Sequence, residues 1–97
     1  MPYSAQLKFD GSESFFQGHF PGFPIMPGVM QLKLAHCHAE KMLGREIALK
    51  SVRRMKFMRV IRPGDNVTIV LEKKGDGEIF YAFKKGEDVC SSGSLVF

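Results

Sequence analysis

Residues 18–28 read Gly-His-Phe-Pro-Gly-Phe-Pro-Ile-Met-Pro-Gly, and no regular element can run through them. Pro21, Pro24 and Pro27 each lack a backbone N–H, which breaks a helix interior and leaves a gap in a central strand. Residues 11–27 are therefore expected to form a fixed, irregular loop. A helical pattern begins where the loop ends. Pro27 suits the first helical position, where its missing N–H costs nothing. Gly44 suits the left-handed position after the last turn. A helix is thus predicted from Gly28 to about Leu43. Apolar residues lie nearly all round it: Val29, Met30, Leu32, Leu34, Ala35, Cys37, Ala39, Met42 and Leu43. At ~100° per residue, Lys33, His36 and Glu40 form one polar stripe, while Gln31 and His38 sit on another side. Such a helix is one that other structure wraps around, and Cys37 is expected to be a small core residue.

The rest of the chain reads as strands. Tyr3 to Phe9 alternates loosely and closes at Asp10-Gly11. Ile47 to Val60 reads as one long strand in which Arg54, Lys56 and Met58 alternate against Met55, Phe57 and Arg59. Arg62-Pro63-Gly64-Asp65 is a turn with Pro at its second position. Val67 to Leu71 and Ile79 to Lys84 flank a hairpin signal at Gly75-Asp76-Gly77. Gly86-Glu87-Asp88 turns again before Val89 to Phe97. One strand, one helix and then about four antiparallel strands is an α+β order, best satisfied by an antiparallel sheet curled around a central helix. Ninety-seven residues suffice for a single domain, 1–97, but leave a small core that a second subunit would help to complete. Nine Phe and six Met without Trp suit an interior that accepts an elongated apolar guest.

The formal net charge of +4 is mild and admits an acidic protein or nucleic acid as partner. Lys50, Arg53, Arg54, Lys56, Arg59 and Arg62 concentrate positive charge on one strand and its ends. The aromatics beside them alternate into a core and no RNA-binding signature accompanies them, which disfavours nucleic acid. Cys37 and Cys90 are too few for a disulfide framework, and no Cys/His zinc spacing appears. His36 and His38 lie too far apart around the helix to share an ion, so no metal or other cofactor is expected. With no apolar leader and no stretch long enough to span a bilayer, a cytoplasmic location is the expectation.

Gly18-His19-Phe20-Pro21, then Pro24, then Pro27-Gly28-Val29 and Gln31 resemble the loop and helix start of the hotdog-fold FabA/FabZ dehydratases of fatty-acid synthesis. Met55-Lys56-Phe57 and Arg62-Pro63-Gly64-Asp65 are similar to the family's Lys-Phe strand and Pro-Gly-Asp turn. The resemblance runs from Phe15 to Gly86-Glu87-Asp88-Val89 and so covers nearly the whole chain. Phe23, the Gln31-Leu32 pair and the ending Cys90-Ser91-Ser92-Gly93-Ser94-Leu95-Val96 are more similar to the short ApeI-type dehydratases of aryl polyene biosynthesis. The resemblance implies a lyase that converts a (3R)-hydroxyacyl thioester into a trans-2-enoyl thioester. It also implies an acyl carrier protein bearing that substrate on phosphopantetheine. Its sites form between subunits of a homodimer, or of a heterodimer with another hotdog chain.

Dehydration needs a base for the α-proton, a donor to the thioester carbonyl and an acid for the departing β-hydroxyl. His19 is the natural base, since an ordinary imidazole accepts a proton at neutral pH. Gly28, at the helix start, offers an unsatisfied N–H reinforced by the helix dipole. By resemblance these two match the family's base and carbonyl donor, and Phe20, Phe23, Pro27, Val29 and Gln31 are expected to line the substrate site. The third role departs from the family pattern. The helix position fourteen residues after the histidine, an Asp or Glu in FabA and FabZ enzymes, is Lys33 here. An ammonium holds its proton tightly at neutral pH unless burial loosens it. Lys33 could instead contact a phosphopantetheine, and His36 could act as the acid with Glu40 orienting it at i+4. Arg53, Arg54, Lys56 and Arg59 are the candidates for steering an acidic carrier protein. Two other readings stand beside the dehydratase: a hotdog thioesterase, for which Glu40 is the helix carboxylate, and an acyl-binding or partner-dependent subunit that has lost the acid.

Overall fold

The computed structural model describes residues 3–8, 26, 28–62 and 64–97. They form β1 (Tyr3–Lys8), α1 (Gly28–Leu43), β2 (Ser51–Phe57), β3 (Asn66–Gly75), β4 (Glu78–Lys85) and β5 (Asp88–Val96). The strands make one antiparallel sheet in the order β1-β3-β4-β5-β2, with β1 and β2 at its two edges. The α+β expectation of one helix against an antiparallel sheet holds. Val67, Ile69 and Leu71 on β3 and Ile79, Tyr81 and Phe83 on β4 alternate onto the inner face, where they are almost wholly buried beneath the helix.

Local punctuation sets the ends of α1. Gly44 adopts φ 72°, and the N–H groups of Gly44 and Arg45 both reach the Glu40 carbonyl, at 2.8 and 3.3 Å. This satisfies a carbonyl that the helix end would otherwise orphan. The buried face of α1 is Gln31, Ala35, His38 and Ala39. Both alanines are fully buried, so the helix lies close to the sheet. Val29, Lys33, Cys37 and Lys41 follow at four-residue steps and are exposed. Cys37 is thus not a core residue in this chain: the sheet covers one side of α1 and leaves the other open.

The strand expected over residues 47–60 is shorter, and its alternation is interrupted. Opposite β5, Arg53 pairs with Ser94 and Lys56 with Ser92, so β2 carries one extra residue between them. Arg54 takes up this bulge with φ 54°, a left-handed conformation costing a non-glycine residue roughly 1–2 kcal/mol. The bulge re-phases the strand. Val52, before it, and Phe57, after it, both turn to the helix side, opposite buried Leu95 and Ser91. Arg53 and Lys56 consequently share the outer face. A strict two-residue repeat would have sent Val52 and Phe57 to opposite faces.

His38 is the polar residue most deeply committed to the fold at this end of α1. Its Nδ1 shares a 2.8 Å hydrogen bond with the Tyr3 hydroxyl of edge strand β1, and the two rings lie tilted with centroids 5.7 Å apart. Burial, with Lys41 adding to it, pushes the imidazole pKa below its ordinary value of 6.5. A depressed histidine pKa means that the unfolded chain takes up the proton first. The stability His38 contributes is therefore full above about pH 6.5 and is lost as pH falls through the lower native pKa. Thermal melts of the native chain should show a drop in Tm on acidification below that point, and His38→Phe should flatten it.

Candidate active site

Met26 is held from both sides just before the helix. Its N–H donates to the Ile61 carbonyl at 2.7 Å, its carbonyl accepts from Nε2 of Gln31 at 3.3 Å, and its side chain is buried. Gln31 is itself buried, and its Oε1 accepts from the Ser91 hydroxyl at 2.5 Å. The amide expected to meet substrate is therefore spent at both ends on protein groups. Ser91 was not legible as a participant: it lies sixty residues away in a serine-rich strand, and only the sheet brings it under the helix.

Gly28 opens α1 directly beside this anchor. The Phe57 ring sits against it, so that a Cβ on Gly28 would lie 2.7 Å from Cζ of Phe57. Absence of a side chain at Gly28 thus leaves the backbone N–H open, and a methyl there would push aside the half-exposed Phe57 ring. Around this point the surface is apolar and uncovered. Among the described residues, the exposed large hydrophobic ones are Val29, Met55, Phe57, Met58 and Val60, with Val29 69% and Phe57 52% accessible. All five belong to the helix start or to β2 and its continuation. The opposite edge strand, β1, turns Ser4, Gln6 and Lys8 outward.

The remaining candidates are dispersed. Lys33 is exposed one turn beyond Val29 on the open side of α1. His36 lies farther along, and its Nε2–H donates to the Ile47 carbonyl at 2.8 Å. Glu40 accepts the Ile47 N–H at 2.9 Å and stands 3.5 Å from the same imidazole nitrogen. The i+4 pair forms as expected, but both side chains clasp one peptide unit after the helix. Nδ1 of His36 has no partner among the described residues. Glu40, the carboxylate a thioesterase reading needs, is committed to that clasp. His19, Phe20, Phe23 and Pro27 lie outside the described residues.

Arg53, Arg54 and Lys56 gather on the outer face of the sheet, around a depression of about 470 Å³ that Lys74, Glu78, Phe80, Ser92 and Ser94 also line. Arg59 stands apart from them, beyond the end of β2, with its N–H on the Cys90 carbonyl at 3.0 Å. Among the described residues, no cluster of three or more His, Cys, Asp or Glu side chains could hold a metal ion. No helix among them is long and apolar enough to cross a membrane.

A single helix laid across one face of a curled antiparallel sheet, with its N-terminus beside an uncovered edge strand, defines a hotdog-fold protein. In shape the chain matches one from the dehydratase heterocomplex ApeI:P of Xenorhabdus doucetiae, with a TM-score of 0.89 over 98% of this chain and 85% of that one, at 23% identity. The chain belongs to the ApeI-like family, whose model, described as ApeI dehydratase, matches residues 2–94. It is 35% identical over 97 residues to the 3-hydroxyacyl carrier-protein dehydratase FabZ of Levilactobacillus brevis, an alignment covering 89% of this chain and 66% of that protein. It is also 35% identical to FabZ of Oenococcus oeni, covering 94% of this chain and 74% of that protein. The chain thus spans slightly less than two thirds of the length of the first of these relatives.

Proposed function

We propose that the chain works in the removal of water from a 3-hydroxyacyl thioester carried on an acyl carrier protein, giving the trans-2-enoyl thioester. The observation that carries this reading is the helix start at Gly28, anchored through Met26 and opening onto an apolar, uncovered surface. His19 takes the α-proton, and the electron pair moves toward the thioester carbonyl, where the Gly28 N–H stabilises the developing negative charge. The pair then returns to form the Cα–Cβ double bond as the β-hydroxyl leaves with a proton from an acid. Phe20, Phe23, Pro27 and Val29 line the acyl group in this reading. The test is intact-mass measurement of a 3-hydroxyacyl carrier protein incubated with the purified chain, with and without a second hotdog chain that bears the helix carboxylate.

The acid decides how the site is assembled. Lys33 occupies the carboxylate position, and His36 donates its Nε2–H to Ile47, so neither is an evident donor to the leaving hydroxyl. The exposed apolar residues of β2 and the helix start mark the surface a second hotdog chain covers. Two antiparallel copies of β2 would set Arg53, Arg54 and Lys56 near their own equivalents, and like charges across strands oppose pairing. The same edge suits a different hotdog chain with acidic residues on its edge and a carboxylate on its helix. This is the partner-dependent form of the proposal. An acidic carrier protein would meet Arg53, Arg54 and Lys56 on the outer face, with Arg59 outside that cluster.

The crowding at Gly28 supplies a separate prediction. In Gly28→Ala the new methyl displaces the Phe57 ring, whose edge is partly solvent-facing and can swing away at little cost. Tm should stay within a few degrees of wild type, while turnover falls by about tenfold or more because the carbonyl is displaced from its donor. Paired melting and single-turnover measurements separate the two effects.

A further inference from the structure

Resting on the dehydratase reading, we propose that Gln31 and Ser91 are positioning residues: together they hold the Met26 peptide, and through it the helix start at Gly28, in the geometry that turnover requires. Gln31 Oε1 takes the Ser91 proton and Gln31 Nε2 reaches the Met26 carbonyl. Ile61 takes the Met26 N–H. One amide side chain thereby ties the residue that closes the histidine-bearing run to a strand from the far end of the sequence.

The arrangement has features that simple core filling does not require. Gln31 and Ser91 are two of the four buried polar side chains among the described residues, at 4% and 0% exposure, and apart from His38 the rest of this core is built from Ala35, Ala39 and mostly apolar strand residues. An apolar side chain at position 31 would fill the same space without needing partners. Ser91 also pairs across the sheet with Phe57 on β2 and with Phe83 on β4. The strand residue that receives Gln31 is therefore directly opposite the ring that packs on Gly28. Both walls of the helix start, the Met26 peptide and the Phe57 ring, refer to the same point on β5. A shift there moves the carbonyl donor relative to any base in the preceding loop, and a displacement of about 1 Å at a reacting centre can cost on the order of 10²-fold in rate.

The roles separate in the double variant Gln31→Met/Ser91→Ala. It removes both polar partners together and keeps the volume, so neither side chain is left buried and unpaired. Wild type, this variant and Ser91→Thr, which keeps the hydroxyl, are compared in kcat and KM, each with whatever hotdog partner wild-type turnover needs. Hydrogen exchange of the peptide containing Met26 is followed in parallel. The expected result is a kcat lower by about 10–100-fold with KM near wild type in the double variant, faster exchange at Met26, and recovery of kcat in Ser91→Thr. Unchanged kcat with faster exchange would overturn the positioning role and leave a purely structural bond. A rise confined to KM would make Gln31 a substrate ligand instead. Should wild type itself fail to turn over, the dehydratase reading falls, and unchanged exchange at Met26 would show independently that the tether does not hold this segment.

Discussion

His19→Ala is expected to reduce water loss from a 3-hydroxyacyl carrier protein by about 10²–10⁴-fold, the usual contribution of a positioned general acid or base. Little else among the described residues can replace it. His38 is buried and hydrogen-bonded to Tyr3, and His36 is turned to Ile47. Neither imidazole neighbours Gly28. The other described groups near the helix start, Val29, Gln31 and Phe57, provide no base. The assay should follow the mass of the acylated carrier, because a loss of one water distinguishes dehydration from thioester hydrolysis, which would remove the acyl group. His19→Gln, which retains hydrogen bonding, controls for a loop that needs its polar side chain to pack. A variant that folds and still eliminates water at the wild-type rate would remove His19 from the chemistry.

Lys33→Glu is expected to raise turnover of the isolated chain by about 10² or more, while adding little when a carboxylate-bearing partner is present. Lys33 is exposed on the open side of α1, so exchanging it should alter stability by no more than about 0.5 kcal/mol. The substitution therefore isolates one question: whether the missing acid is what limits the chain on its own. A gain specific to the isolated chain supports a site that normally borrows its acid across the hotdog interface. No gain, with acyl thioester bound and left intact, favours the acyl-binding reading. Native mass spectrometry of the same samples would report whether the variant pairs with itself.

Much of the architecture was readable because the signals that carry it act locally. Gly44 ends α1 through its own left-handed backbone preference, and Gly28–Leu43 is the observed span. The hairpin at Asp76-Gly77 and the turn at Gly86 also lie where their residues predicted. The clasp around Ile47 was only half legible. The i+4 spacing brought His36 and Glu40 together, but a helical wheel contains no information about the peptide that both then bind.

The alternation along β2 was misread for a related reason. A period-two pattern assumes that every residue advances the strand equally, and Arg54 does not. Nothing in Arg-Arg-Met-Lys marks a left-handed residue. The bulge exists because Val52 and Phe57 both face the helix side and five ordinary steps cannot place them there. Cys37 was expected in a core because apolar residues lie nearly all round α1, whereas the sheet encloses only the half of the helix that carries its two alanines.

By itself, then, the sequence determined the order of elements and the helix limits, since glycines and hydrophobic periods constrain the backbone over a few residues. Only the tertiary structure decided that Gln31 joins Met26 to Ser91, that Tyr3 meets His38, and that Phe57 covers Gly28. Those contacts span up to sixty residues of chain. They depend on strand register and on a single bulge, which are settled by burying side chains from distant elements together.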